Sequence, residues 1–517
     1  MREDPLGRRY TFKLGSSVAS LGANIIIQAV VARGLGPRSF GDFSFLTSFF
    51  QQVVGFFDLW TTPAFFVKLS QRPRDFGLVA FTFAVVGAGA LLLVGGVLAI
   101  PPGSALHVQL WPGQAFGYLV LASVWAVLMW LVQLLGNVSD AYGTTVKAET
   151  GRVVQKLLGL VIIVGLYALD RLHLTSYFAA HYAMLAFLIV YFLWLMRRTE
   201  YARGESWRLP LVRVRGYARE FVHFSHPLFL TGVVALVAIL ADRWLLQVYA
   251  GSVEQGFYGL SYQIGMVCFV FSGAMTPLII REFSIAHGNR DTARMAQLFR
   301  DYIPPLYSMA AFIGCFLGIQ AGKVVLLMGG SGYGGAAGAV AVMSFYPVHQ
   351  TYGQLSGSVF MATGQTRLYG RISIVFLLLG LPLTYLLVAS APGAGLHAGA
   401  TGLAVKMVAI QLIAVNVQLY FNAKYLSLRY HRYLGHQFAS VAFLVTVALL
   451  SMVLVDRWLN PGGRTAVNFV LGGLIYTTTV AATVAVQPLV MGLRREQLSK
   501  LAALFARRRD TPDGPTP

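Results

Sequence analysis

Long apolar segments recur along the whole chain and restrict what it can fold into. We count about 14 of them, each close to the roughly 20 residues that a helix needs to cross a hydrocarbon core of about 30 Å. Lipid offers no partner to backbone N–H and C=O groups, and the segments are too long for barrel strands, so each should be an α-helix. The sequence therefore predicts an all-α polytopic membrane protein. The approximate spans are 11–33, 41–67, 78–100, 114–137, 153–170, 176–196, 226–249, 256–280, 303–321, 335–358, 372–391, 399–421, 437–455 and 467–489.

The positive charge of the chain follows the connections between these segments. The net charge is +20, which would also suit a nucleic-acid-binding protein, so the placement of the 40 Lys and Arg residues decides between the two. About 32 of them fall in the tails and the even-numbered connections, and the loop after the sixth segment, RRTEYARGESWRLPLVRVRGYARE, holds seven arginines. This distribution predicts that both termini and the even-numbered connections are cytoplasmic. It excludes a nucleic-acid partner, which requires basic residues gathered on one soluble face.

Two motifs occur twice. The stretch ARGLGPRSFGDF contains Gly36 and Gly41, and AGSVEQGFY contains Gly251 and Gly256, so both have Gly-x4-Gly between two apolar segments. We expect each turn to begin with a glycine in the left-handed cap conformation. Further along, QLLGNVSDAYGTT from Gln133 aligns with QLSGSVFMATGQT from residue 354. The chain therefore contains an internal duplication.

The duplication predicts the domain organisation. Residues 1–222 should form an N-terminal six-helix bundle with a cytoplasmic linker, and residues 223–436 a second six-helix bundle. Residues 437–517 add helices 13 and 14 and a cytoplasmic tail. Because each half has an even number of spans, the halves should be parallel repeats related by an axis along the membrane normal. Such an arrangement is typical of transporters that work by alternating access.

Four stretches carry a resemblance to a known family: VVARGLGPRSFGDFSFLTSF, ADRWLLQVYAGSVEQGFYGLSYQIGMVCFVFSGAMTPLI, FMATGQTRLYGRIS and HAGATGLAVKM. With the 14-span plan, they resemble polysaccharide flippases of the multidrug/oligosaccharidyl-lipid/polysaccharide exporter superfamily, of the O-antigen (Wzx) kind. The resemblance implies transfer of undecaprenyl-pyrophosphate-linked oligosaccharide from the cytoplasmic to the periplasmic leaflet of the bacterial inner membrane. It also implies membrane lipids as partners, and a glycan polymerase and glycosyltransferases in the same pathway.

A pyrophosphate that crosses the membrane needs cationic groups in partly desolvated positions, and charges inside spans are costly and therefore informative. The candidate cations are Arg33, Arg243 and Lys406, of which Arg33 and Arg243 stand at roughly matching positions before the two glycine turns. Asp58 and Asp242 are candidates for a proton or sodium site, and each is equally open to a structural role. Polar side chains that can bind sugar hydroxyls are Asn24, Gln28, Gln51, Gln52 and Gln263.

Other chemistry finds little support in the sequence. GSGYGG at 330–335 matches G-x-G-x-x-G without a preceding strand, so we interpret it as a flexible periplasmic loop. His223 and His226 have no acidic or Cys companion for a metal site, and no catalytic pattern stands out, so we expect neither a cofactor nor an enzyme. Two rivals stay open: a multidrug exporter of the same superfamily, and a membrane glycan polymerase or ligase. Three embedded cations against two acids disfavour the first, and short periplasmic loops disfavour the second.

Overall fold

The computed structural model describes residues 6–58, 61–199, 211–389 and 395–496, and these residues form helices without any strand. The predicted all-α polytopic class is confirmed. In chain order the α-helices are α1 (Leu6–Asp58), α2 (Thr61–Gln71), α3 (Phe76–Ala99), α4 (Ala105–Leu110), α5 (Phe116–Ala141), α6 (Thr145–Ala168), α7 (Leu174–Arg197), α8 (Leu211–Met266), α9 (Phe269–Gly288), α10 (Thr292–Ile319), α11 (Ala321–Gly329), α12 (Ala337–Met343), α13 (Tyr346–Ala362), α14 (Thr366–Val388), α15 (Gly399–Tyr425), α16 (Tyr430–Leu454) and α17 (Thr465–Val486).

Within the described residues, ten helices are long and apolar enough to cross a membrane. They carry most of the predicted spans, and the remaining ones lie on the two arms of α1 and on α9 and α13. The chain is therefore a multi-pass membrane protein. Short connections such as the turn 142–144 join consecutive helices, as expected for neighbouring spans.

Helices α1 and α8 are each bent at the first glycine of the repeated Gly-x4-Gly motif. Gly36 has φ 70° and ψ 171°, and Gly251 has φ 77° and ψ −173°. The positive φ was expected, but the left-handed cap conformation was wrong, because ψ lies near 180° in a region open essentially to glycine alone. The two copies of the motif therefore share one unusual backbone conformation.

The second glycine of each motif packs against the other copy. A methyl group on Gly41 would lie 1.7 Å from the carbonyl oxygen of Ser252, and one on Gly256 would lie 2.1 Å from that of Pro37. The contact is reciprocal, since each second glycine meets the residue that follows the first glycine of the other copy. Reciprocal contacts of this kind are the mark of a two-fold relation between equivalent segments. The sequence predicted two tight turns, and the structure brings them into direct contact.

The second pair of aligned motifs also adopts one local structure. Gly143 follows the end of α5 with φ 72°, and Gly364 follows the end of α13 with φ 70°. The N–H of Thr144 donates to the carbonyl of residue 139, and the N–H of Gln365 donates to that of residue 360, both at 2.9 Å. Both ends are Schellman caps, in which glycine avoids the steric cost of a positive φ. Equivalent positions in the sequence thus have equivalent structures.

The GSGYGG stretch corrects another expectation. It forms a 3-10 helix, Ser331–Ala336, in place of a flexible loop. Tyr333 is fully buried, with ring centroids 6.3 Å from Phe40 and 6.0 Å from Phe257, which both lie close to the glycine turns. The small side chains around Tyr333 let this segment pack onto the crossing of α1 and α8.

The chain separates into two compact units. The first comprises the described parts of 1–260, 328–339 and 373–406, and its core includes Phe50 stacked on Trp111. The second comprises those of 261–327, 340–372 and 407–517, and its core includes Tyr307 and Tyr352 with ring centroids 5.3 Å apart. The assignment of residues 1–222, 223–436 and 437–517 to bundles and tail stays a prediction.

Candidate functional site

Three helices of the first unit meet at a buried ion pair. Lys406 on α15 places its Nζ 2.5 Å from Oδ2 of Asp242 on α8. The hydroxyl of Thr384 on α14 donates to Oδ1 of Asp242 at 2.6 Å. Asp242 and Lys406 are only 7% and 5% exposed, and Thr384 is fully buried. Gly380, one turn before Thr384, makes room for the lysine, since a methyl group there would lie 2.8 Å from Lys406 Cε.

The pairing of Lys406 with Asp242 limits the binding of other ions by either side chain. Asp242, one of the two embedded acids singled out in the sequence, is the partner of Lys406. Desolvating two charges is costly, so the pair is stable only while both members are present. In the described conformation Lys406 is held by Asp242, and it can bind an anion only after Asp242 is neutralised or moves away. Its role in substrate binding stays a prediction.

Arg243, the next residue on α8, is held in a defined orientation. Its guanidinium lies over the ring of Tyr258 at 4.5 Å, and Nη1 donates to Gln255 Oε1 at 3.0 Å and to Ser44 Oγ at 3.4 Å. Gln255 is fully buried and donates its amide back to the carbonyl of Arg243. The guanidinium is therefore half-buried and preorganised beside the crossing of the glycine turns.

The structure separates Arg33 from Arg243. Arg33 is exposed and lies beside Gly330. Gly36 and Gly251 are 215 residues apart, so the position equivalent to Arg243 is Gln28, and Arg33 is five residues further on. Five residues correspond to about 140° around a helix, so the two arginines project in different directions. The expectation that they stand in register was therefore wrong.

The predicted amides differ in their surroundings. The Oε1 atoms of Gln28 and Gln263 are buried without a hydrogen-bond partner among the described residues. Asn24 and Gln52 are half-buried, and Gln51 is exposed. A buried acceptor without a donor is costly, so the two unsatisfied oxygens mark places where a hydroxyl or water would bind favourably.

Asp58 is the last residue of α1, and its side chain accepts hydrogen bonds from the start of α2. Its Oδ1 accepts from Thr61 Oγ1 at 2.9 Å, from Thr62 N at 3.2 Å and from Trp130 Nε1 at 3.3 Å. It also lines a cavity of about 360 Å³ that includes Gln133 of the repeated motif. The contacts give Asp58 a clear structural role as a helix cap. Its role as a proton or sodium site stays a prediction.

Glu254 is a polar residue that the sequence analysis missed. It lies within the second glycine turn, and its Oε2 accepts from the N–H of Ala400 at 2.7 Å, at the first turn of α15. Gly399 leaves the space, since a methyl group there would lie 2.4 Å from that oxygen. The sequence shows an acidic residue inside a Gly-x4-Gly turn, which could have drawn attention to Glu254. It does not show the hydrogen-bond partner, which lies 146 residues away.

Among the described residues, no group of three or more His, Cys, Asp or Glu is arranged to hold a metal ion. His223 is exposed, whereas the side chain of His226 lies outside the described part of the chain.

The fold is that of transporters of the MOP superfamily. The structure is similar to the lipid II flippase MurJ in an inward closed conformation, with a TM-score of 0.67 and 12% identity over 93% of this chain and 99% of that chain. An inward-facing multidrug resistance MATE family transporter gives a TM-score of 0.58 and 14% identity over 79% of this chain and 94% of that chain. A MOP superfamily transporter from Pyrococcus furiosus gives a TM-score of 0.53 and 14% identity over 81% of this chain and 95% of that chain.

The family follows from the sequence itself. Residues 7–278, more than half of the chain, match the model of the polysaccharide biosynthesis protein family, and the chain belongs to that family. A search of curated proteins finds no match. The resemblance to polysaccharide flippases is thereby confirmed at the level of family and fold.

Proposed function

We propose that the protein is a flippase that moves undecaprenyl-pyrophosphate-linked oligosaccharide from the cytoplasmic to the periplasmic leaflet by alternating access. The family match carries this proposal, because it ties a chain built of membrane-spanning helices to polysaccharide synthesis. In such a pathway the crossing of the lipid-linked sugar is the step that needs no catalytic site. The protein is then a transporter without a cofactor, in the bacterial inner membrane with both termini cytoplasmic. It supplies a glycan polymerase and receives substrate from glycosyltransferases.

The electrostatics of the first unit support an anionic substrate. Asp242 is engaged by Lys406 and Thr384, and Asp58 is engaged by the start of α2 and by Trp130. A cationic drug would have to compete with these contacts for either carboxylate. Arg243, in contrast, is half-buried and oriented, and guanidinium groups bind phosphate oxygens in bidentate geometry. This favours the flippase over the multidrug exporter.

The ion pair offers a route for coupling. A proton or sodium ion that neutralises Asp242 would leave Lys406 without its partner, and the released ammonium would then favour an anion. Ion binding and pyrophosphate binding are in this way linked through one carboxylate. The buried oxygens of Gln28 and Gln263 provide acceptors for sugar hydroxyls.

The function is tested with purified protein in proteoliposomes that contain a fluorescent undecaprenyl-pyrophosphate-linked oligosaccharide. Transfer between leaflets is read from the fraction of label that a membrane-impermeant quencher reaches. Protein-containing vesicles should exchange the label at least about tenfold faster than empty ones, and Arg243→Ala should remove most of this gain. Gln71→Ala, at an exposed position outside the candidate site, serves as a folded control with a small expected effect. Equal rates with and without protein would refute the proposed function.

A comparison of the three cations tests the site. At least one of Arg33→Ala, Arg243→Ala and Lys406→Ala should abolish transfer while the protein stays folded in the membrane. Arg243→Lys should keep part of the activity if charge alone matters, and little of it if bidentate phosphate geometry matters. Normal transfer by all three alanine variants would overturn the electrostatic part of the proposal.

A further inference from the structure

The second unit contains a basic pocket that is lined by other residues than the site described above. It has a volume of about 440 Å³ and forms where α10, α16 and the 3-10 segment Pro488–Met491 come together. Four arginines from these three elements line it: Arg300 on α10, Arg429 and Arg432 at the start of α16, and Arg494 after the 3-10 segment. All four are exposed at the surface of the pocket.

The backbone is arranged so that the pocket closes on one side. Gly492 has φ 68° and ψ 10°, the left-handed conformation that glycine adopts without strain. A methyl group on Gly492 would lie 2.6 Å from Pro304 Cβ and 2.9 Å from His436 Nε2. Ser440 fixes the preceding turn by donating to the carbonyl of Val490 at 2.7 Å. The chain after α17 thus folds back onto α10 and α16 and brings Arg494 to the pocket.

The charges in the pocket do not balance within the described residues that line it. Asp301 meets Arg494 at 3.3 Å, and the described lining itself contains no acidic side chain beside Arg300, Arg429 and Arg432. Glu496, two residues beyond Arg494, is exposed and is not part of the lining. His436 adds a polar wall, since its Nδ1 is buried and finds no hydrogen-bond partner within the described part of the chain. Like charges held together repel, so an anion in the pocket would be stabilised.

Exposed apolar side chains lie beside the arginines. The pocket is also lined by Leu428 and by Leu489, which is 68% exposed, and the neighbouring Val486 is 76% exposed. In a membrane protein, exposed apolar side chains at the end of a span contact lipid chains. Guanidinium groups beside an apolar surface match a ligand with a phosphate headgroup and an acyl chain. A soluble anion would gain nothing from contact with Leu489.

We propose that this pocket binds the phosphate headgroup of an anionic membrane phospholipid. Arg429 and Arg432 stand at the start of the apolar span α16, where lipid headgroups are expected, and basic pockets between helices bind lipid phosphates in this way. Arg494 reaches the same pocket through the turn at Gly492, so the lipid would also hold the segment that follows α17.

The experiment measures lipid binding by the full chain in a neutral detergent. The melting temperature is followed as phosphatidylglycerol, phosphatidylcholine or sodium phosphate is added. We expect phosphatidylglycerol to raise it and phosphatidylcholine to have little effect. The double variant Arg429→Ala/Arg432→Ala should weaken the apparent affinity for phosphatidylglycerol at least about tenfold. The matched control Arg281→Ala/Arg294→Ala, exposed residues of the same unit outside the pocket, should leave it within about twofold.

Several results would overturn the proposal. Unchanged affinity in the pocket variant would show that the arginines do not hold the lipid, and an equal loss in the control would show unspecific attraction to basic surface. An effect of sodium phosphate as large as that of phosphatidylglycerol would show a site for soluble anions. If the alanine variant does not fold, Arg429→Lys/Arg432→Lys keeps the charge, and an intermediate loss of affinity is then the expected result, while unchanged affinity refutes the site.

Discussion

Removing one member of the Asp242–Lys406 pair should cost far more stability than removing both. In Lys406→Met, which has a similar length, the carboxylate of Asp242 stays buried, with the hydroxyl of Thr384 as its remaining described donor. A buried charge that loses its partner costs about 3–5 kcal/mol. Asp242→Asn should cost a similar amount, because the ammonium of Lys406 then faces a neutral amide. The double variant removes both charges and should recover most of the loss.

The measurement is reversible unfolding of the purified protein in mixed micelles with an increasing fraction of denaturing detergent. The four proteins of the double-mutant cycle give the coupling energy between the two side chains, which we expect to be at least about 2 kcal/mol. Thr384→Val should cost about 1–3 kcal/mol, since it removes a donor to the buried carboxylate. Single variants that each lose less than about 1 kcal/mol and add without coupling would refute a buried, mutually dependent pair.

The remaining predictions concern the glycine contact, Asp58 and the topology. Gly41→Ala should prevent stable folding or cost more than about 3 kcal/mol, because its methyl group meets a backbone oxygen, whereas Gly87→Ala, with open space around it, should be neutral or slightly stabilising in the same unfolding assay. Asp58→Ala should lose about 1–3 kcal/mol by leaving buried donors such as Trp130 Nε1 unpaired, and Asp58→Asn should lose less and keep transfer if the role is structural. Fusion reporters at residues 210 and 517, which lie outside the described residues, should report the cytoplasm, and periplasmic activity at either would contradict the 14-span topology.

The helices were predictable because the bilayer imposes a composition on them. A span must satisfy its backbone internally and expose apolar side chains, and both demands are local in sequence. The duplication was also visible, since Gly143 and Gly364 end their helices with the same cap. The backbone of Gly36 was predicted only in the sign of φ, because ψ depends on how the next arm packs.

The candidate site was predictable in its residue types but not in its partners. Asp242 and Lys406 were both singled out as embedded charges, yet 164 residues separate them, and nothing local in the sequence pairs them. The prediction that Arg33 and Arg243 stand in register was wrong because an approximate alignment ignores helical phase. A shift of five residues along a helix places a side chain on another face. Glu254 was missed because its partner is a backbone N–H, which every residue except proline possesses.

The cations singled out in the sequence therefore differ in how readily each can serve a phosphate. The charge of Lys406 is compensated by Asp242 in the described conformation, and an anion gains from it only if that carboxylate is first neutralised. Arg243 is arranged differently, since two uncharged groups, the face of Tyr258 and the amide oxygen of Gln255, orient its guanidinium. A guanidinium has five N–H donors, so an oriented one can bind a phosphate while it keeps its supporting contacts. Arg243 is for this reason the cation we expect to meet pyrophosphate directly, and Lys406 the one we expect to respond to the coupling ion.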